Sequence, residues 1–209
     1  MLGVAPVNTI VGRISKTART VRTARMPIET ESVPCNFVSS FKVGDNLVFN
    51  TKLLCDLNEA NEAGRFNKPI VLQVGAILEA ALSEIISRAQ HHTLEGVPNI
   101  VEADRREIEG KKIDKFNSVI DVLRKYAVLD GLGRDVYDEL HRLRRYRNKV
   151  HIQDRINIEG VSADEADAFN DDICDWALAL NLRVLRHLSE NLQRPEEVHG
   201  YVAPLRIPS

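Results

Sequence analysis

"PIVLQVGAILEAALSEIISRAQHH", residues 69–92, decides the fold class. Ile70, Val74, Ile77, Leu78, Ala81, Leu82 and Ile85 recur at the three- and four-residue intervals of a helix face. Pro69 stands where a first helical turn has no N–H to lose, and His91 and His92 suit the carbonyl end of such a helix, where cations are favoured. The spacing predicts a helix over 69–93 with one broad apolar side. That side must be covered, and its neighbours decide by what.

Downstream the signal stays helical. The stretch 94–112 is polar, holds Gly96, Pro98 and Gly110, and reads as a loop or frayed connector. Ile113, Phe116, Ile120, Leu123 and Val128 predict a helix over 113–129, and "DGLGRD" at 130–135 is a glycine turn. Another helix follows over about 134–152. Ser162 with Glu165 three residues on has the form of a capping box, opening a long helix over about 163–192 that carries Trp176. Pro195 stops it, and a tail with Pro204 and Pro208 runs out extended. Upstream, 51–63 predicts a short helix ending near Gly64. "VPCNFVSSFKVGDNLVFN", residues 33–50, sets two Val- and Phe-rich runs around Gly-Asp-Asn and reads as a small hairpin or extended lead-in. The whole is all-α: a bundle of four to five helices with an irregular or hairpin-containing N-terminal lead-in.

Composition narrows the function classes. The 209 residues are 44% hydrophobic and 28% charged with a net charge of −2, so no global basic field marks a nucleic-acid binder. Arg13, Lys16, Arg19, Arg22 and Arg25 nevertheless crowd an acid-free segment 1–28, leaving 23 cations against 30 anions in the rest. Residues 1–32 therefore read as a basic flexible segment, and 33–209 as the helical domain, with its core at about 66–192. No run approaches the roughly 18 apolar residues of a membrane span. Cys35, Cys55 and Cys174 are odd in number and far apart, as reduced thiols of a cytoplasmic protein are. The glycine patterns GxGxxG and GxxxxGK are missing, which sets aside the usual nucleotide enzymes. No pair of histidines has metal-ligand spacing on one helix face, so neither metal nor cofactor is expected.

The chemistry concentrates in "LHRLRRYRNKVHI", residues 140–152. At about 100° per residue, Val136, Leu140, Leu143 and Val150 form a buried stripe with Arg147 in its middle. Arg144 and His151 lie together on its edge, whereas Arg142 and Arg145 point outward. A charge on a core-facing position costs several kcal/mol unless it is paired or reaches water. Arg147 therefore faces either a carboxylate, with Glu79 or Glu84 as candidates, or a cleft holding a ligand. Continued helix would bring His151 one turn after Arg147, converging on one point. A guanidinium forks onto phosphate oxygens, an imidazole moves protons near neutral pH, and Asn148 can orient either. Tyr146, off the stripe, is a candidate stacking platform for a base or a residue of the bundle edge. His141, on the outer side, carries no expected role.

At these residues the chain resembles the HEPN domain family, helical bundles whose late helix carries an arginine followed by a histidine. "LRRYRNKVHI" and the final helix "VSADEADAFNDDICDWALALNLRVLRHL" carry the likeness, and "VGAILEAALSEIISRA" resembles the helix that supplies an acid to the same cleft. The family spacing is four to six residues between arginine and histidine. Arg147 and His151 have three between them, while Arg145 has five and Arg144 six. The resemblance implies a metal-independent endoribonuclease with Arg147, His151, Asn148 and Arg144 at its centre, supported by Glu79, Glu84, Arg145 and Tyr146. It further implies a homodimer with one shared cleft, RNA as substrate, and an antitoxin or other neutralising protein as partner in a toxin or phage-defence setting. The alternative is a non-catalytic HEPN-like module that binds nucleotide, RNA or protein.

Overall fold

The structure is a computed structural model that describes residues 29–91, 96–150, 159–198 and 202–209. Its elements in chain order are β1 (Thr30–Val33), α1 (Phe41–Glu59), α2 (Asn67–His91), α3 (Glu102–Glu109), α4 (Phe116–Lys125), α5 (Val136–Asn148), α6 (Glu165–Ala168), α7 (Asp171–Asn191) and β2 (Leu205–Pro208). They make a mostly helical bundle with one small antiparallel sheet of β1 and β2.

The stretch 69–92 supplies most of the central helix. α2 packs against α1, α3, α4, α5 and α7, so Ile70, Val71, Val74, Ile77, Leu78, Ala81, Leu82, Ile85 and Ile86 are all buried. Neighbours on several sides call for apolar residues beyond a single stripe. Mean hydropathy accordingly reaches 1.7 over an 18-residue window, and α2 is long and apolar enough to cross a membrane. That departs from the expectation that no run comes near a membrane span. Packing explains the composition, since 61% of that window is buried within the bundle.

Hydrogen bonds fix the helix directions. Asn67 Nδ2 donates to Asp171 Oδ1 (2.9 Å) at one end and Arg88 Nη1 to the Leu192 carbonyl (2.6 Å) at the other, so α7 runs parallel to α2. α1 runs antiparallel to α2: Gln73 donates to Asn50 Oδ1 (2.6 Å), and Ser39 and Ser40, just before α1, donate to Glu84. α5 lies antiparallel to α4 through Asp121–His141 and Arg124–Asp138, and antiparallel to α7 through Glu139–Trp176 and Tyr146–Phe169.

Several expectations change. No hairpin forms at residues 33–50: α1 begins at Phe41 and runs straight through Gly44-Asp45-Asn46. Turn-forming residues are tolerated there because Gly44 admits Val202, whose Cγ1 would stand 2.8 Å from an added Cβ, while Asp45 and Asn46 face outward. The connector 94–112 contains α3. α4 stops at Lys125, where Ala127 adopts a positive φ of 52°. The long helix over 163–192 is two helices, and the capping box is not used. Asp164 caps α6 through the Ala166 and Asp167 N–H groups, and Asn170 caps α7 through the Ile173 N–H.

The two ends of the described chain also join. Thr30 pairs with Pro208 and Val33 with Leu205, so the folded unit reaches back before residue 33. Leu205 and Ile207 are fully buried, and β2 packs against α1.

Candidate functional site

The end of α5 meets the middle of α2 at a glycine. A Cβ on Gly75 would stand 2.9 Å from Arg147 Cβ and 3.0 Å from Arg147 Cγ. The missing side chain thus lets the Arg147 stem lie on the α2 backbone. One turn further along α2, Glu79 ion-pairs with the Arg147 guanidinium. Arg147 keeps 38% of its side chain exposed, and Glu79 21%, so the pair is not sealed. Leu72, Arg147, Asn148 and Val150 line an open cleft of about 430 Å³ beside it. A guanidinium has five N–H donors in a fixed fork. Glu79 engages one terminal nitrogen, and donors remain for an anion in the cleft.

Glu84, the other acid proposed for Arg147, is engaged elsewhere. It is 8% exposed and accepts from the Ser39 N–H (3.2 Å), the Ser39 hydroxyl (3.0 Å) and the Ser40 N–H (3.2 Å), tying α2 to the start of α1. Tyr146 offers no face to a base. It is 4% exposed, with its ring against Phe169 (centroids 5.8 Å apart) and Trp176 (6.1 Å). Arg142 is not simply solvated, for its guanidinium lies 4.4 Å from the Trp176 ring centroid.

Arg144 and Arg145 make no ion pair among the described residues, and the Nε of each is shielded without a partner. Arg145 lies beside Gly160, and Arg144 acts on His141 one turn back. Asn148 closes α5 exposed at the lip of the cleft. His151 lies outside the described residues. A position one turn after Arg147 on the same helix requires helix to 152, whereas α5 ends at Asn148 with Lys149 as its cap. Lys149 Nζ donates to the Ser162 (2.6 Å) and Ala163 (3.1 Å) carbonyls, tying the end of α5 to the residues just ahead of α6.

His141 was given no role, yet its side chain is only 16% exposed and its Nε2 is 3.2 Å from Asp121. Burial, ahead of the attraction of Asp121, pushes its pKa below the ordinary histidine value. Gly75 and Leu72 were not foreseen as site residues. The one available signal was a glycine inside an otherwise strong helix pattern, which often marks a close approach.

The site is therefore an arginine laid over Gly75, steadied by Glu79, and open to a shallow cleft at the end of α5. No family model, curated protein or solved structure matches this chain.

Proposed function

We propose that this cleft binds the phosphodiester backbone of RNA and that the chain is a HEPN-like, metal-independent endoribonuclease. The observation that carries the reading is Arg147: anchored on one side by Glu79 and presented to an open cleft on the other. In the reaction the ribose 2′-hydroxyl oxygen bonds to the adjacent phosphorus and the bond to the 5′ oxygen breaks. The products are a 2′,3′-cyclic phosphate and a free 5′-hydroxyl. His151 removes the 2′ proton or returns one to the leaving oxygen. Arg147, with Arg144 and Asn148, holds the charge that grows on the phosphate oxygens. Glu79 positions Arg147. Arg144 and Arg145 add phosphate contacts on the same helix, giving an acidic protein a local basic groove with salt-sensitive affinity. The active form is a homodimer in the cytoplasm, held in check by a neutralising protein.

The test is cleavage of mixed transfer RNA and unstructured RNA in EDTA, with product ends analysed for cyclic phosphate. Wild type cleaves, and Arg147→Ala and His151→Ala each lower the rate by about 100-fold or more. Cleavage that survives His151→Ala places the chemistry elsewhere and overturns the assignment.

The Arg147–Glu79 ion pair also favours a second reading, since it balances the charge of the guanidinium without a ligand. In that case the chain is a non-catalytic module of the same fold. It binds RNA or a nucleotide without cutting it, and Arg147→Ala weakens binding alone.

A further inference from the structure

Arg147 is the only charged side chain among the described residues that line the cleft, for Leu72 and Val150 are apolar and Asn148 is neutral. Its guanidinium does not stand alone. The stem lies on the α2 backbone at Gly75, and Glu79 one turn on holds the head. An incoming anion therefore meets an ion pair of net charge zero rather than a lone cation. The first negative charge of a ligand still takes the guanidinium donors that Glu79 leaves open, in short charge-assisted hydrogen bonds. A second charge on the same phosphate gains little. Its attraction to Arg147 is offset by repulsion from Glu79, and no further cation lines the cleft among the described residues. It must nevertheless shed more water to enter beside two apolar side chains.

We propose that Glu79 makes this a site for singly charged phosphate, so that it takes an internal phosphodiester and turns away a terminal phosphate or a free nucleotide. A diester carries one negative charge, whereas a phosphate monoester carries about 1.5 to 2 at about pH 7. Glu79 then does more than position Arg147: it determines which phosphates the arginine accepts. The inference rests on the reading of this cleft as a phosphate site and adds its substrate class, the interior of a strand rather than its phosphorylated ends. Free nucleotides, which carry monoester or polyphosphate groups, do not compete for such a site.

The probes are deoxyuridine 3′-monophosphate and its methyl ester. They share nucleoside and phosphate, differ by one charge, and cannot be cleaved because they lack the 2′-hydroxyl. Binding to the full chain is followed by NMR at about pH 7, through the side-chain amide of Asn148 and the methyl groups of Leu72 and Val150. The ester is expected to bind wild type about tenfold more tightly than the monophosphate. Glu79→Gln keeps the size of the side chain and an oxygen for Arg147. It is expected to tighten the monophosphate about tenfold more than the ester, so that the preference disappears. A monophosphate that binds wild type as tightly as the ester overturns the proposal, and that comparison needs no variant. So does a preference that survives Glu79→Gln in a chain with the wild-type circular dichroism spectrum. Binding of neither probe overturns the proposal together with the phosphate reading of the cleft. RNA cleavage in EDTA separates the remaining outcomes. A chain that cuts RNA without preferring the ester loses only this proposal, and one that prefers the ester without cutting loses only the ribonuclease.

Discussion

Asn181 is fully buried in α7, and neither the nitrogen nor the oxygen of its side-chain amide has a partner among the described residues. A polar group buried without a hydrogen bond costs about 1–3 kcal/mol. Asn181→Leu keeps the shape and removes that cost, so it is expected to raise the stability measured by urea unfolding by about 1–3 kcal/mol. A loss of stability would instead show that the amide is bonded to a buried water. At this scale the sequence was informative where a residue broke a pattern. Arg147 was legible because it interrupted an apolar stripe, and Glu79 because it flanked one. Gly75 was not, since what a glycine admits depends on the helix that crosses it. His151 was placed by assuming that α5 continues, and the helix stops three residues short of it.

α1 shows why elements with non-local ends escape a sequence reading. Its N-cap Ser40 makes no side-chain cap, and no acid stands in its first turn. Its anchor is Glu84, 45 residues away from Ser39, which takes the Ser39 and Ser40 N–H groups just ahead of the helix and so fixes where the helix starts. A hairpin was therefore the natural reading of Val-Gly-Asp-Asn. α2, whose apolar residues and first-turn proline are all local, was legible nearly to its ends. The same acid reaches a third group: burial first, and then the Glu84 charge, pushes the Cys35 thiol up to about 12, so it stays protonated. Glu84→Ala is expected to cost about 1–3 kcal/mol by orphaning those donors. Glu84→Gln, which keeps one acceptor oxygen, is expected to cost less. Hydrogen exchange of the first turn of α1 checks this: it should open in the alanine variant ahead of the rest of the bundle. Uniform destabilisation with no local opening would mean that α1 does not depend on this anchor.

At the scale of the molecule, the mostly helical character was legible, but the helix count and the topology were not. The parallel course of α2 and α7, and the pairing of β1 with β2 around residues as distant as Glu29 and Ser209, leave no local trace. What ties these distant parts together also sets the response to acid. His141 lies between α4 and α5, facing Asp121, Arg124 and Arg144. His187 on α7 packs against Gly131 and faces the Val128 backbone, Glu190 and Asn191. Burial is the leading cause in both, and it holds each below the ordinary value of 6.5. The folded chain thus binds fewer protons than the unfolded chain just below 6.5, so stability rises with pH through that window. It is complete above the unfolded value and lost as pH falls through the folded ones. Glu102 and Glu107 do not mask this. Arg105 and Arg106 on Glu102, and Lys125, Lys111 and Tyr126 on Glu107, hold those acids down at about 2. They stay charged until far lower pH. Urea unfolding at about pH 7 and about pH 5, the range in which histidine titrates, is expected to show a less stable protein at the lower value. His141→Gln and His187→Gln should each shrink the difference. A chain equally stable at both values, or a difference untouched by either variant, would mean that both rings accept protons freely in the fold and that the α4–α5 and α7 contacts loosen to let them.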